Sequence, residues 1–305
     1  MKTNLREDIP MRTTLHGSTL FLITWAFISA DLSAQEVSPE HQYAVKQLEA
    51  RRDYQLKQAA NMRVLYDFQL RENVETSGIK FVHHIVDDAG LNYKAAHYDH
   101  GNAVAVADVN SDGLSDIYWT TQMDTNQLWV NLGNGKFVDA TEKAGVGLKN
   151  QISVGASFAD IDNDGDQDLF VTTVRKGNHL FENQGNGLFK DITEQSGLSY
   201  IGHSSGAVFW DFNNDGNLDL FVTNVGKYTK DTQGSGGFFE AYPDAFSGHL
   251  FPERTEHSLL YQGLGGGKFK NVTAETGLTD GSWSGDCTFA DINDDGFMDL
   301  YIVNM

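Results

Sequence analysis

A single cysteine, Cys287, stands in a chain of 305 residues, so no internal disulfide can staple this fold. Proline is nearly as scarce, at 4 residues against 31 glycines. That balance suits many tight turns between short strands better than a disordered tail. Basic residues are also few: 22 Lys and Arg face 42 Asp and Glu, for a formal charge of -20. Such a chain repels phosphates, which excludes nucleic acid and anionic membrane surfaces as natural partners and makes cations the expected counterpart. Long apolar runs are missing too. The one from Leu20 to Ala30 is 11 residues, whereas a spanning helix needs about 20.

That run follows Arg12 and precedes the small residues Ser33 and Ala34. The order is that of a signal peptide over residues 1–34. It predicts a secreted, periplasmic or cell-surface protein with no membrane span after signal removal. Export without disulfides fits a fold stapled by another device, such as a metal. Residues 35–75 are rich in Gln, Glu, Lys, Arg, Ala and Leu, with Ser38 placed as an N-cap and Pro39 at the first helical position. A helical linker is expected there, since Val45, Leu48, Leu56 and Leu65 form only a loose apolar stripe.

What is abundant is repetition. DVNSDGLSD from Asp108, DIDNDGDQD from Asp160, DFNNDGNLD from Asp211 and DINDDGFMD from Asp291 share one pattern. Apolar runs flank each loop, so it joins two strands that read as buried on both faces. A hairpin follows in three of the units, with Asn-Gly or Gly-Gly between alternating runs, as in NLGNGKFVD. The first aspartates are spaced by 52, 51 and 80 residues, the last interval containing a 29-residue insertion. Four strands per period of about 50 residues predict an all-β fold, a β-propeller of four-stranded blades, over residues 76–305. The segment GIKFVHHIVDDAGL from Gly78 matches the end of a unit and is expected to be a lone outer strand.

The loops carry the chemistry. Position 1 is Asp108, Asp160, Asp211 or Asp291, and position 3 is Asn110, Asp162, Asn213 or Asn293. Position 5 is Asp112, Asp164, Asp215 or Asp295, and position 9 is Asp116, Asp168, Asp219 or Asp299. With the position-7 backbone carbonyl of Leu114, Asp166, Asn217 or Phe297, these oxygens can converge on one hard cation. Calcium is the expected cofactor, because it takes six to eight oxygens in flexible geometry. A helical calcium hand would need a bidentate Glu at position 12, where Trp119, Val171, Val222 and Ile302 stand instead. The loop from Asp160, with a carboxylate at every side-chain position, is expected to bind most tightly.

These loops and their spacing resemble the FG-GAP or VCBS repeats of integrin-α-type propellers. GLFKDITEQSGL and the insertion containing DAFSGHLFPERTEHSLLY further resemble bacterial relatives of cartilage acidic protein, the ASPIC/UnbV group. The resemblance implies seven blades in the intact protein and calcium within the blades. Against that ring, which needs roughly 350 residues at this period, the chain is expected to be a C-terminally truncated fragment. A four-bladed closure is the alternative.

Other residues invite plainer accounts. His83, His84, His97, His100 and Asp99 lack zinc spacing, and His100 and His203 share one offset from their loops. Cys287 aligns with Ala156 and Ala207, so a small core residue is expected rather than a nucleophile. Asn271-Val272-Thr273 fits a glycosylation sequon by coincidence within a strand. The insertion, residues 226–258, holds Tyr228, Phe238, Phe239, Tyr242, Phe246, His249 and Phe251, aromatics suited to a sugar ring or a protein partner. No nucleophile–base set or phosphate loop is visible. The expectation is therefore a non-catalytic binding or adhesion scaffold for protein or glycan. A propeller-type enzyme such as a polysaccharide lyase or hydrolase is the alternative.

Overall fold

The computed structural model describes residues 46, 50–54, 57, 71–86, 102–234, 237–278 and 283–304. The chain divides into two compact bodies, Met1–Arg71 and Glu72–Met305. In the first, residues 46, 50–54 and 57 are helical, and the proposed signal peptide lies outside the described residues.

The second body is all-β and antiparallel. In the first unit β1 (Val104–Ala107) enters an acidic loop, β2 (Asp116–Trp119) leaves it, and β3 (Gln127–Gly133) and β4 (Lys136–Asp139) form a hairpin. They build one sheet in the order β1-β2-β3-β4. The second unit repeats this with β5 (Ile152–Ala159), β6 (Asp168–Val174), β7 (His179–Asn183) and β8 (Phe189–Asp191). The third uses β9 (Ser204–Trp210) and β10 (Asp219–Asn224), then β13 (Leu259–Gly263) and β14 (Phe269–Asn271). Between them the insertion forms its own two-stranded sheet, β11 (Thr229–Gln233) with β12 (Phe239–Ala241), followed by two 3-10 turns. A fourth unit begins with β15 (Ser284–Ala290) and β16 (Asp299–Asn304). The expected strand plan and the site of the insertion are thus as the sequence indicates.

Register explains how each loop closes. Ala107 pairs with Asp116, Ala159 with Asp168, Trp210 with Asp219 and Ala290 with Asp299. The residue before position 1 therefore always faces position 9. The hairpin turns have both central residues at positive φ, as in Asn134 (54°) and Gly135 (69°), the geometry that matches strand twist.

Sheets pack face to face in series. Tyr118, Leu128 and Val146 of the first unit meet Leu169, Val171 and Phe181 of the second. Phe170, Leu180 and Ile192 of the second meet Leu220, Val222, Tyr261 and Phe269 of the third. Trp210, Phe221 and Leu260 then receive Cys287, Leu300 and Ile302 of the fourth. Sandwiched this way, β6 and β10 are buried at every position, as strands covered on both faces must be.

The leading segment departs from expectation. Residues 78–86 form no strand. Gly78 instead ends the short helix Val74–Ser77 in left-handed backbone, as Gly145, Gly197 and Gly277 end the helices Thr141–Ala144, Thr193–Ser196 and Thr273–Thr276. Gly78-Ile79-Lys80-Phe81 imitates the hairpin glycine Gly135-Lys136-Phe137, but the repeat is matched at the helix end. An added Cβ at Gly78 would lie 2.9 Å from the Phe137 carbonyl, and one at Gly197 2.6 Å from that of Phe269. The helix ends at Gly78, Gly145 and Gly197 therefore dock on the outer strand of the unit after them.

Candidate metal centre

All four loops are wound by the same bonds. The position-1 carboxylate accepts the amides of positions 5 and 6: Asp108 from Asp112 (3.1 Å) and Gly113 (2.7 Å), Asp160 from Asp164 (3.1 Å) and Gly165 (3.0 Å). Asp211 and Asp291 do the same with Asp215 and Gly216, and with Asp295 and Gly296. Position 6 sits at φ 84° to 95°, a conformation glycine adopts without steric cost. The position-5 carboxylates of Asp112, Asp164, Asp215 and Asp295 accept the amides of Leu114, Asp166, Asn217 and Phe297. The sequence-predicted side chains are therefore gathered, loop by loop, at one end of their sheets.

Position 9 is held from two sides. Asp168 accepts the amides of Ile161 (3.0 Å) and Asn183 (2.7 Å), and Asp116 those of Val109 (2.9 Å) and Asn131 (2.7 Å). Asp219 accepts from Phe212 and Gly263. The hairpin donors were not foreseen, although Asn131 and Asn183 stand at one offset from position 9. Asp299 has the amide of Ile292.

Burial sets the electrostatics. It pushes Asp168 up to about 7 and Asp219 to about 6 against the opposing pull of backbone amides, and it raises Asp116 as well. Asp162 and Asp166 are raised too, Asp166 to about 6, through desolvation and then the charge of Asp164. Asp291 is lowered by the amides that wind its loop.

The second loop differs from the others. Among the described residues, oxygens of Asp160, Asp162 and Asp168 come within 4.8 Å of one another. Asp166 Oδ1 is buried there without a hydrogen-bond partner, a side chain the sequence offered only for its carbonyl. In the other loops the position-3 amide groups of Asn110, Asn213 and Asn293 donate to position 5. Asp162 has no proton to give, so this loop concentrates negative charge that calls for a cation.

Other candidates resolve into structure. His84 pairs with Asp124 and His83 approaches the Thr120 carbonyl, while His97, Asp99 and His100 lie outside the described residues. Cys287 is partly buried, its thiol pushed up to about 12 by desolvation, which keeps it un-ionised and unreactive. Asn271 accepts the amide and hydroxyl of Thr273, as Asp139 and Asp191 do for Thr141 and Thr193. Its place in the sequon is thus a repeat position. Buried His203 bonds Glu256 through Nδ1 (2.9 Å) and Thr229 through Nε2 (2.8 Å). This resembles a catalytic chain, but Thr229 is fully buried and out of reach of a substrate. It fastens the insertion instead, together with Arg175 over the Phe239 ring at 3.9 Å, while Arg254 over Tyr242, also at 3.9 Å, braces the insertion internally.

The FG-GAP-like repeat profile matches residues 108–171, 160–222 and 242–302, more than half of the chain. The chain belongs to the FG-GAP-like repeat family. The first two FG-GAP-like windows each span two acidic loops, and the third spans the fourth loop. Cartilage acidic protein 1 of Homo sapiens is 29% identical over 151 residues, 48% of this chain and 22% of that protein. The Xenopus tropicalis and Mus musculus proteins of the same name are also 29% identical over 151 residues, 23% of each. The match thus spans less than a quarter of the length of these curated relatives.

Proposed function

We propose that Glu72–Met305 is part of a calcium-loaded β-propeller that serves as an exported, non-catalytic scaffold for a protein or glycan partner. The observation that carries the metal reading is the second loop, where three carboxylates meet within 4.8 Å beside the orphaned Asp166 oxygen. The donors are oxygen only, which fits calcium and disfavours zinc or copper. Positions 1, 3, 5 and 9 of each loop, with the position-7 carbonyl, would hold the ion. Bound calcium would offset part of the loop's negative charge and tie the two inner strands of a unit together.

The scaffold reading rests on family membership and on the insertion, which His203 and Arg175 fasten to the body of the fold. Export rests on the pattern in residues 1–34, and no described helix is long and apolar enough to cross a membrane. Metal analysis and melting with and without chelator test the proposal. Calcium at a thousand times its dissociation constant adds ~4 kcal/mol per site when the unfolded chain does not bind. A melting temperature indifferent to chelator, with no calcium above background, overturns it. Turnover on a polysaccharide or ester panel, abolished by a change outside the loops, would favour the enzyme alternative.

A further inference from the structure

Position 4 of the loops makes contacts between units. Asn163 lies between Asp162 and Asp164 in left-handed backbone, and its Nδ2 donates to the Gly216 carbonyl of the third loop at 3.3 Å. Asn214 repeats this with the Gly296 carbonyl of the fourth loop at 3.2 Å. The peptide after each accepting carbonyl is already committed. Asn217 N–H donates to Asp215 at 2.9 Å, and Phe297 N–H donates to Asp295 at 2.9 Å. A bonded path thus runs from the backbone joining two ligands of one loop, through an asparagine, to a ligand of the next.

The path has ends. Position 4 of the first loop is Ser111, with the same left-handed backbone at φ 60°; the first and second loops are joined instead through Asn183, whose Nδ2 donates to the Val109 carbonyl at 2.9 Å while its N–H holds Asp168. Position 4 of the fourth loop is Asp294, whose side chain has no amide N–H to donate.

We propose that the second, third and fourth loops take up calcium as a coupled set, through Asn163 and Asn214. The inference rests on the calcium reading above. An ion in the second loop pins Asp162 and Asp164 and so fixes Asn163. The fixed amide holds the Gly216–Asn217 peptide with its N–H aimed at Asp215, which preorganises the third loop. Linkage makes the effect reciprocal.

The test is a cycle on the full chain, read at the Asn217 amide by NMR during calcium titration. The second loop is disabled by Asp162→Ala in the Asn163 protein and in Asn163→Ser, a replacement that Ser111 shows to be tolerated in this backbone. With Asn163 present, Asp162→Ala should weaken calcium binding in the third loop by about threefold to tenfold, the size one net hydrogen bond allows. In the Asn163→Ser background the third loop should not respond. Equal responses in both backgrounds, or none in either, overturn the coupling alone. An Asn217 amide that calcium never shifts overturns the calcium reading and the coupling with it. Without metal, Asn217 should exchange its amide hydrogen faster in Asn163→Ser, and an unchanged rate counts against the path.

Discussion

The second and fourth units carry acidic loops of one pattern, differing at Asp162 against Asn293 and Asp166 against Phe297, in different surroundings. Phe170 of β6 is 1% exposed, whereas Tyr301, at the same place in β16, is 60% exposed. Ile161 and Ile292, at position 2 of the two loops, are 3% and 70% exposed. Asp168 is buried and gripped by a hairpin amide, while Asp299 is only half-buried. The loop is wound by its own backbone, but the environment of its ninth residue is made by the hairpin and the following sheet. A shared loop pattern therefore does not imply equal sites.

The widest separation of the two units is expected in their cores. Phe170→Ala should cost about 3–5 kcal/mol by denaturant unfolding, and Tyr301→Ala less than about 1 kcal/mol, as for an exposed position. Similar midpoints for the two variants would erase the contrast. Next come the helix-ending glycines. Gly277→Ala places a Cβ in open space and should cost only the left-handed penalty of about 1–2 kcal/mol. Gly197→Ala should cost at least ~1 kcal/mol more, since its Cβ must displace the Phe269 carbonyl.

The loops sharpen the comparison further. Asp162→Asn should weaken calcium binding in the second loop about tenfold, roughly the 1.4 kcal/mol of one charge interaction near the surface. Asn293→Asp in the more solvated fourth loop should tighten binding by less, and calorimetric titration measures both. The smallest effect is on pH dependence without calcium. Asp168 and Asp219 have folded values near 7 and 6, above the ordinary 3.8. Their contribution is fully present below 3.8 and is lost as pH rises through those values. In the fourth loop Asp291 is lowered, so its contribution is present above 3.8 and lost as pH falls through its folded value. Chelated protein should therefore melt a few degrees higher at pH 5.5 than at pH 8, with Asp168 titrating near 7 by carboxyl NMR. A flat profile would mean that burial does not govern these carboxylates.

The strand plan could be read from sequence because alternation and the Asn-Gly turns are local signals, repeated at a fixed interval. Loop positions were legible for the same reason. Depth was not: whether Asp116, Asp168 or Asp299 is buried depends on residues from another strand or unit. The leading segment was placed in the wrong register because Gly78 resembles a hairpin glycine when taken with Lys80 and Phe81. Its true equivalents, Gly145 and Gly197, are recognised by a helix end. The grip of His203 on Glu256 and Thr229 joins residues 53 and 26 positions away, with no periodic signal to reveal it.

The junction between units is built in part from main-chain atoms, a glycine without a side chain meeting a carbonyl of the next outer strand. Main-chain atoms are identical whatever the residue, so most substitutions leave this seam unaltered. Copies made by duplication could then diverge widely, or accept an insertion such as that between β10 and β13, and still stack in register. Exchanging whole units between FG-GAP-like chains should succeed where the glycine is kept, even when few other residues agree.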